Sequence, residues 1–196
     1  MADPQVVLAS GSPRRLELLR RLGLEPVVRA ADIDETPLAD EAPSLTVARL
    51  ARTKAHAVER GPGDLVIAAD TEVVLDDGVL GKPDGAPGAA AMLRALSGRA
   101  HRVITAVHVL HGPAEAAAVE ETTVHVRVLT DAEIDAYVAT GEPFGKAGAY
   151  AIQGAGGMFV ARIEGSDTNV VGLPLSTVVR LAADVGVTVL PSPIRS

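Results

Sequence analysis

Five apolar residues in unbroken succession, Leu65-Val66-Ile67-Ala68-Ala69, run straight into Asp70. A run without polar alternation reads as a strand buried on both faces, and such a strand needs a covering layer on each side. Val6 to Ala9 repeats the pattern in shorter form, and segments of helical spacing follow both. Arg14 to Leu22 places Leu16, Leu19 and Leu22 on one face and stops at Gly23. Ser44 reads as the cap of a longer helix reaching Arg60, ended by Gly61-Pro62-Gly63. Pro87 to Leu96 and Thr130 to Ala139 read as further helices, and Leu173 to Val185 as a closing one. Val27–Arg29, Glu72–Leu75 and Val160–Ile163 supply short strands. His101–Leu110 and Ala117–Val128 flank the Gly112-Pro113 turn as an antiparallel hairpin. Ala30 to Pro43 is an acidic loop, and Gly141 to Gly157 is Gly-rich and too irregular for an ordinary connection. The pattern predicts a mixed sheet flanked by helices, of α/β or α+β type. A chain of 196 residues makes one domain, or two small lobes sharing a cleft, and Pro191 to Ser196 reads as a loose tail.

Composition removes several functions. Acids outnumber bases by 25 to 18, so no overall field holds DNA or RNA. With no Trp, two Tyr and two Phe, the chain lacks stacking platforms for single strands, and Leu, Val, Ile and Ala must fill the core. The absence of Cys removes disulfides, thiolate metal sites and cysteine nucleophiles. Met1-Ala2-Asp3-Pro4 lacks the regions of a signal peptide, and no apolar run reaches membrane-spanning length. The expectation is a cytoplasmic protein without nucleic-acid or membrane partners.

Positive charge nevertheless collects at particular places. Ser12 suits a helix N-cap and Pro13 the first helical position, yet Arg14 and Arg15 follow where acids would favour the helix dipole. That placement suits an anion gathered by free N–H groups and guanidinium groups, with the hydroxyls of Ser10 and Ser12 as further donors. Two solvated arginines are the competing reading. Lys54 falls on the apolar stripe marked by Val47, Leu50 and Val58. It is either a snorkelling lysine or an ammonium held in a cleft for phosphate. Asp70, at the expected end of its strand, can bind a metal or activate water, or merely start a turn. Lys82 sits in a Gly-Lys-Pro loop, and Asp34 and Glu35 offer carboxylates for a hard cation.

Other motifs fail. Gly81-Lys82 and Gly145-Lys146 lack the residues of a P-loop, and Gly154-Ala155-Gly156-Gly157 lacks the context of a dinucleotide fingerprint. His108 and His111 read as a solvated pair beside a hairpin rather than as zinc ligands. No Gly-x-Ser-x-Gly elbow is present.

Taken in order, the segments resemble the Maf family of nucleotide pyrophosphatases over nearly the whole chain. The resemblance runs through Leu8-Ala9-Ser10-Gly11-Ser12-Pro13-Arg14-Arg15, Ile33-Asp34-Glu35, Ala51-Arg52-Thr53-Lys54-Ala55 and Ala69-Asp70-Thr71. It continues in Gly81-Lys82-Pro83, Leu96-Ser97-Gly98-Arg99, Gly141-Glu142-Pro143 and Lys146-Ala147-Gly148-Ala149-Tyr150, and ends in Ile152-Gln153-Gly154 and Val171-Gly172-Leu173-Pro174. It implies an α/β fold like that of the inosine triphosphate pyrophosphatases, with two lobes, a central cleft and a homodimeric state. It implies cleavage of a nucleoside triphosphate between the α and β phosphates with Mg²⁺ or Mn²⁺. By resemblance Asp70 is the proton acceptor, Arg14, Lys54 and Lys82 are phosphate-binding cations, and Glu35 is an acid near the metal, which Asp70 would share. Arg14, Thr71 and Gln153 resemble the branch that takes dTTP and UTP; a second branch takes 7-methylated GTP. A neutral amide at Gln153 can both donate and accept, as a pyrimidine edge requires. Gly81 and Asn169 stand at positions that vary among branches. Two other classes compete: a nucleotide-binding regulator of septum formation without relevant catalysis, and an RNA-modifying or RNA-binding protein, against which the negative charge and the scarcity of aromatics weigh.

Overall fold

Three adjacent apolar residues form β1 (Val6–Leu8) in a computed structural model describing residues 4–189, and all three are buried. The N-terminal Met1 to Asp3 and the tail read above as loose, Pro191 to Ser196, lie outside the described residues. After β1 come α1 (Pro13–Arg21), β2 (Val27–Val28), α2 (Pro43–Ala57), β3 (Leu65–Leu75) and β4 (Gly78–Leu80). Next are α3 (Gly85–Leu96), β5 (Ala100–His111), β6 (Ala114–Val126) and α4 (Asp131–Ala139). Two 3-10 turns, Ala147–Ala149 and Ala155–Phe159, precede β7 (Val160–Glu164), α5 (Asp167–Val171) and α6 (Leu175–Asp184). The seven strands form one sheet in the order β2-β1-β3-β5-β6-β7, with β4 paired to β3 off that path. β1 pairs in parallel with β2 and β3, whereas β3–β4 and β6–β7 are antiparallel, so the sheet is mixed as expected.

Two compact units divide the chain: Met1–Thr71, Thr105–Glu120 and Gly172–Ser196 form the first, Glu72–Ile104 and Glu121–Val171 the second. The first contains no aromatic residue. Its core cluster joins Val7, Ala9, Val66 and Ala68 of the sheet to Ala55 and Val58 of the α2 region and to Leu110. In the second unit Leu93 and Leu96 of α3, Ile134 and Tyr137 of α4, and Phe159 surround Val103 and Val124. Tyr137 meets Phe159 edge to face, with ring centroids 4.9 Å apart. Truncating Phe159, which is 1% exposed, removes one of the largest side chains of that core and costs about 3–5 kcal/mol.

Several boundaries differ from expectation for physical reasons. β3 does not stop at Asp70; it runs on to Leu75 because Val73, Val74 and Leu75 pair with β4. The turn between them is made by Asp76, at φ +54°, and Asp77. Helix α2 is capped at Ala42 with Pro43 in its first position, and Ser44 lies inside it. It ends at Ala57 rather than Arg60 because Val58 turns extended and enters the core. The expected Thr130 cap forms in full: its hydroxyl accepts from Glu133 N while Glu133 accepts from Thr130 N. The five-residue helix α5 has too few turns to show a period and is absent from the sequence reading. No helix among the described residues is long and apolar enough to cross a membrane.

Candidate active site

Asp70 lies inside a strand, yet the first unit sets it beside the end of a neighbouring one. Strands β2, β1 and β3 are parallel neighbours in that order, so the chain leaves β1 to one side and returns to the other. Leu8, the last residue of β1, pairs with Ile67, and Ala9 N donates to Ile67 O at 2.9 Å. Asp70 and Thr71 therefore stand just past the carboxyl end of the neighbouring strand, the switch-point position where ligands gather in open α/β sheets. Successive strand residues face opposite sides. α1 and α2 meet consecutive residues of β3, Arg15 at Thr71 and Lys54 at Asp70, and so lie on opposite faces of it.

On the α1 side, Ser12 is the N-cap and its Oγ accepts weakly from Arg15 N at 3.5 Å. The Arg15 guanidinium donates from Nε to Gly172 O at 2.8 Å, from Nη1 to Ser10 Oγ at 3.0 Å and from Nη2 to Thr71 Oγ1 at 3.1 Å. Thr71 Oγ1 also lies 2.9 Å from Thr105 Oγ1, and Ser10 Oγ accepts from Ser12 N at 3.2 Å. Arg15 thus ties the turn after β1 to β3 and to Gly172. Burial pulls its pKa down; Asp70 and Glu35 act upward against that, while the neighbouring Arg14 adds to it. The half-buried Arg14 makes no side-chain hydrogen bond or ion pair among the described residues, and desolvation lowers its pKa as well. The two arginines, equivalent in sequence, have different occupations: Arg15 is a strut and Arg14 an uncommitted cation. Gly172 is required here, since its φ is +115° and a Cβ would sit 3.3 Å from Thr71 Oγ1 and 3.6 Å from Arg15 Nε.

On the α2 side, Lys54 is 8% exposed and Asp70 is 9% exposed. Lys54 Nζ lies 2.6 Å from Asp70 Oδ1 and 2.7 Å from Glu35 Oε1. The ammonium is buried and paired with carboxylates rather than snorkelling to the surface. Two carboxylates therefore converge on one cationic centre, Asp70 from the interior and Glu35 from a side chain that is 56% exposed. Asp34 is turned into its own loop instead: its Oδ1 accepts from Thr36 N at 2.9 Å, and bonding to Thr36 lowers its pKa. The ligand chemistry of Asp70 and Glu35, oxygen donors gathered about a position already held by positive charge, fits a hard divalent cation such as Mg²⁺ or Mn²⁺.

Lys82 and Gln153 belong to the second unit. Lys82 is exposed in the loop after β4, and its ammonium has no ion pair among the described residues; the preceding Gly81 O accepts from Gly148 N at 3.2 Å. Gln153 is exposed on the Gly-rich loop. What shapes that loop is Glu142, whose role sequence reasoning missed although Gly141-Glu142-Pro143 was noticed. Glu142 accepts from Tyr137 OH at 2.7 Å, Gly156 N at 2.9 Å and Ala155 N at 3.0 Å. Burial acts to raise its pKa, but the bonds from Gly156, Tyr137 and Ala155 outweigh it and hold the carboxylate below its ordinary value. A Cβ on Gly154 would fall 2.5 Å from Glu142 Oε2, so the glycine lets the clamp close. The histidines also differ from expectation: His108 is buried rather than solvated, and His111 Nδ1 lies 3.1 Å from Val185 O.

A family model described as Maf-like protein matches residues 5–185. A dTTP/UTP pyrophosphatase of Anaeromyxobacter dehalogenans is 56% identical over 187 residues, covering 93% of this chain and 95% of its own length. One of Myxococcus xanthus is 54% identical over 192 residues, covering 97% and 96%. Among solved structures, a HAM1 protein from Coxiella burnetii aligns with a TM-score of 0.50 at 18% identity, covering 90% of this chain and 98% of that one, a likeness of fold alone.

Proposed function

Because this chain belongs to the Maf-like protein family, we propose that it hydrolyses dTTP and UTP to the nucleoside monophosphate and pyrophosphate. The observation that carries this reading is the buried Lys54–Asp70 pair with Glu35 beside it, at a sheet switch point that also bears an uncommitted arginine. The relatives named above, dTTP/UTP pyrophosphatases more than 50% identical over nearly full length, support the choice of substrate.

In this reading the turn from Ser10 to Arg15 receives phosphate oxygens. Arg14 supplies the mobile charge, Arg15 holds the turn, and Ser12 offers its hydroxyl. Lys54 has three N–H donors and gives two to carboxylates, leaving one for a phosphate oxygen. Thr71 aligns the Arg15 strut. Asp70 and Glu35 would hold Mg²⁺ or Mn²⁺, which supplies charge neutralisation on the phosphates when bound. Asp70 accepts a proton from the water that adds to the α-phosphorus. The bond from that phosphorus to the bridging oxygen of the β-phosphate breaks, and pyrophosphate leaves with the bonding electrons. Cations already in place stabilise the charge it carries away. We further propose that the protein acts in the cytoplasm as a homodimer, which sedimentation would check.

Hydrolysis in ¹⁸O-labelled water tests the reaction directly. Label in the monophosphate, with none in pyrophosphate, is expected for attack at the α-phosphorus. Label in the pyrophosphate, or release of orthophosphate, would refute it. A 7-methylated GTP in the same assay decides between the two branches, and nucleotide binding without turnover would support a regulator.

A further inference from the structure

His108, which the sequence paired with His111 as solvated, instead faces His56 and Glu115. His56, on the last turn of α2, His108, within β5, and Glu115, near the start of β6, place their ligand atoms within 4.8 Å of one another. All three belong to the first unit. Both imidazoles point at the same carboxylate oxygen: Glu115 Oε2 lies 3.2 Å from His56 Nε2 and 3.2 Å from His108 Nε2. Ligands held about 2.0–2.2 Å from a tetrahedral zinc are necessarily about 3.4 Å apart, so the spacing suits an ion at their centre.

We propose that His56, His108 and Glu115 form a binding site for a borderline divalent metal ion of the zinc type, separate from the oxygen-donor pair Asp70 and Glu35. Two imidazoles and one carboxylate favour zinc, copper or nickel over magnesium. His56 and Lys54 are two positions apart on α2, a spacing that points side chains to different faces. The His108 ring is buried, so its nitrogen meets Glu115 away from bulk water. α2 ends here at the C-cap Val58, and the negative end of its dipole favours a cation. An open surface depression lined by Arg52, Thr53, His56 and Ala57 leaves room for water as the fourth ligand. Among the described residues one arginine faces the site. Arg52 Nη2 lies 3.9 Å from the other oxygen of Glu115, and its side chain is 61% exposed and free to swing outward.

The test uses the full chain stripped of metal by chelation and titrated with Zn²⁺ against a chromophoric zinc indicator, without nucleotide. The unaltered chain should bind one tight equivalent. His56→Ala and Glu115→Gln alter exposed side chains and should weaken that equivalent by more than about tenfold, with melting curves in the absence of zinc unchanged. Asp70→Asn/Glu35→Gln should keep it, which separates this site from the proposed catalytic one. Nitrogen-15 spectra should show the ring nitrogens of His56 and His108 shifting together on zinc addition. Binding that survives His56→Ala/Glu115→Gln, that disappears in Asp70→Asn/Glu35→Gln, or that moves neither histidine would overturn the proposal.

Discussion

At the scale of single residues, the first unit separates charges that hold the site from charges available to a ligand. Lys54→Met should do double damage, because it removes a phosphate donor and leaves the Asp70 carboxylate buried without its partner. Removing one member of a buried pair costs about 3–5 kcal/mol, so both the melting temperature and kcat/KM should fall. Arg14→Ala should instead lower kcat/KM with little change in melting, since its guanidinium bonds to nothing among the described residues. Equal destabilisation by the two variants would show the division to be wrong. The sequence pointed to each of these residues, yet spacing and charge alone did not tell Arg14 from Arg15, and only the family resemblance singled out Arg14. Their difference lies in Gly172 O and Thr71 Oγ1, acceptors remote in sequence. The same blindness made His108 a solvated histidine, because only the pairing of β5 within the sheet buries it.

At the scale of elements, strand and helix types were legible from period and punctuation, whereas ends depended on partners. The unbroken run from Leu65 to Ala69 announced a buried strand, but its continuation through Asp70 to Leu75 required β4 opposite it. α2 begins at an alanine cap with φ −63° and ψ 144°, a backbone ready for a side-chain cap it lacks. Ala42→Ser should stabilise the protein by about 1 kcal/mol, seen as a higher denaturation midpoint with an unchanged slope. In the second unit His101 Nε2 bonds to Tyr150 OH at 2.9 Å, while its buried Nδ1 has no hydrogen-bond partner among the described residues. Burial pushes His101 from 6.5 to about 4, with His125 adding to the shift. The folded state therefore resists protonation that the unfolded chain accepts. The associated stability is present above pH 6.5 and is lost as pH falls from there toward 4. Denaturation midpoints of His101→Gln should fall less steeply over that range than those of the unaltered chain; parallel curves would contradict the assignment.

At the scale of the whole molecule, a chain with a net charge of −7 still sets Arg15 and Lys54 on the consecutive residues Thr71 and Asp70 of β3. Bulk composition argued against nucleic acid, and local reversal of charge argued for a small anion; both inferences needed only the sequence. The mixed sheet and its flanking helices were legible in the same way. The reason Asp70 is special was not, because it rests on where β1 stops beside β3. The most direct test of the central claim is pyrophosphate release from dTTP and UTP by Asp70→Asn, measured beside nucleotide affinity. Asparagine keeps an oxygen for Lys54 but accepts no proton, so the account predicts turnover reduced by at least about a hundredfold with binding largely kept. Turnover near that of the unaltered chain would contradict it.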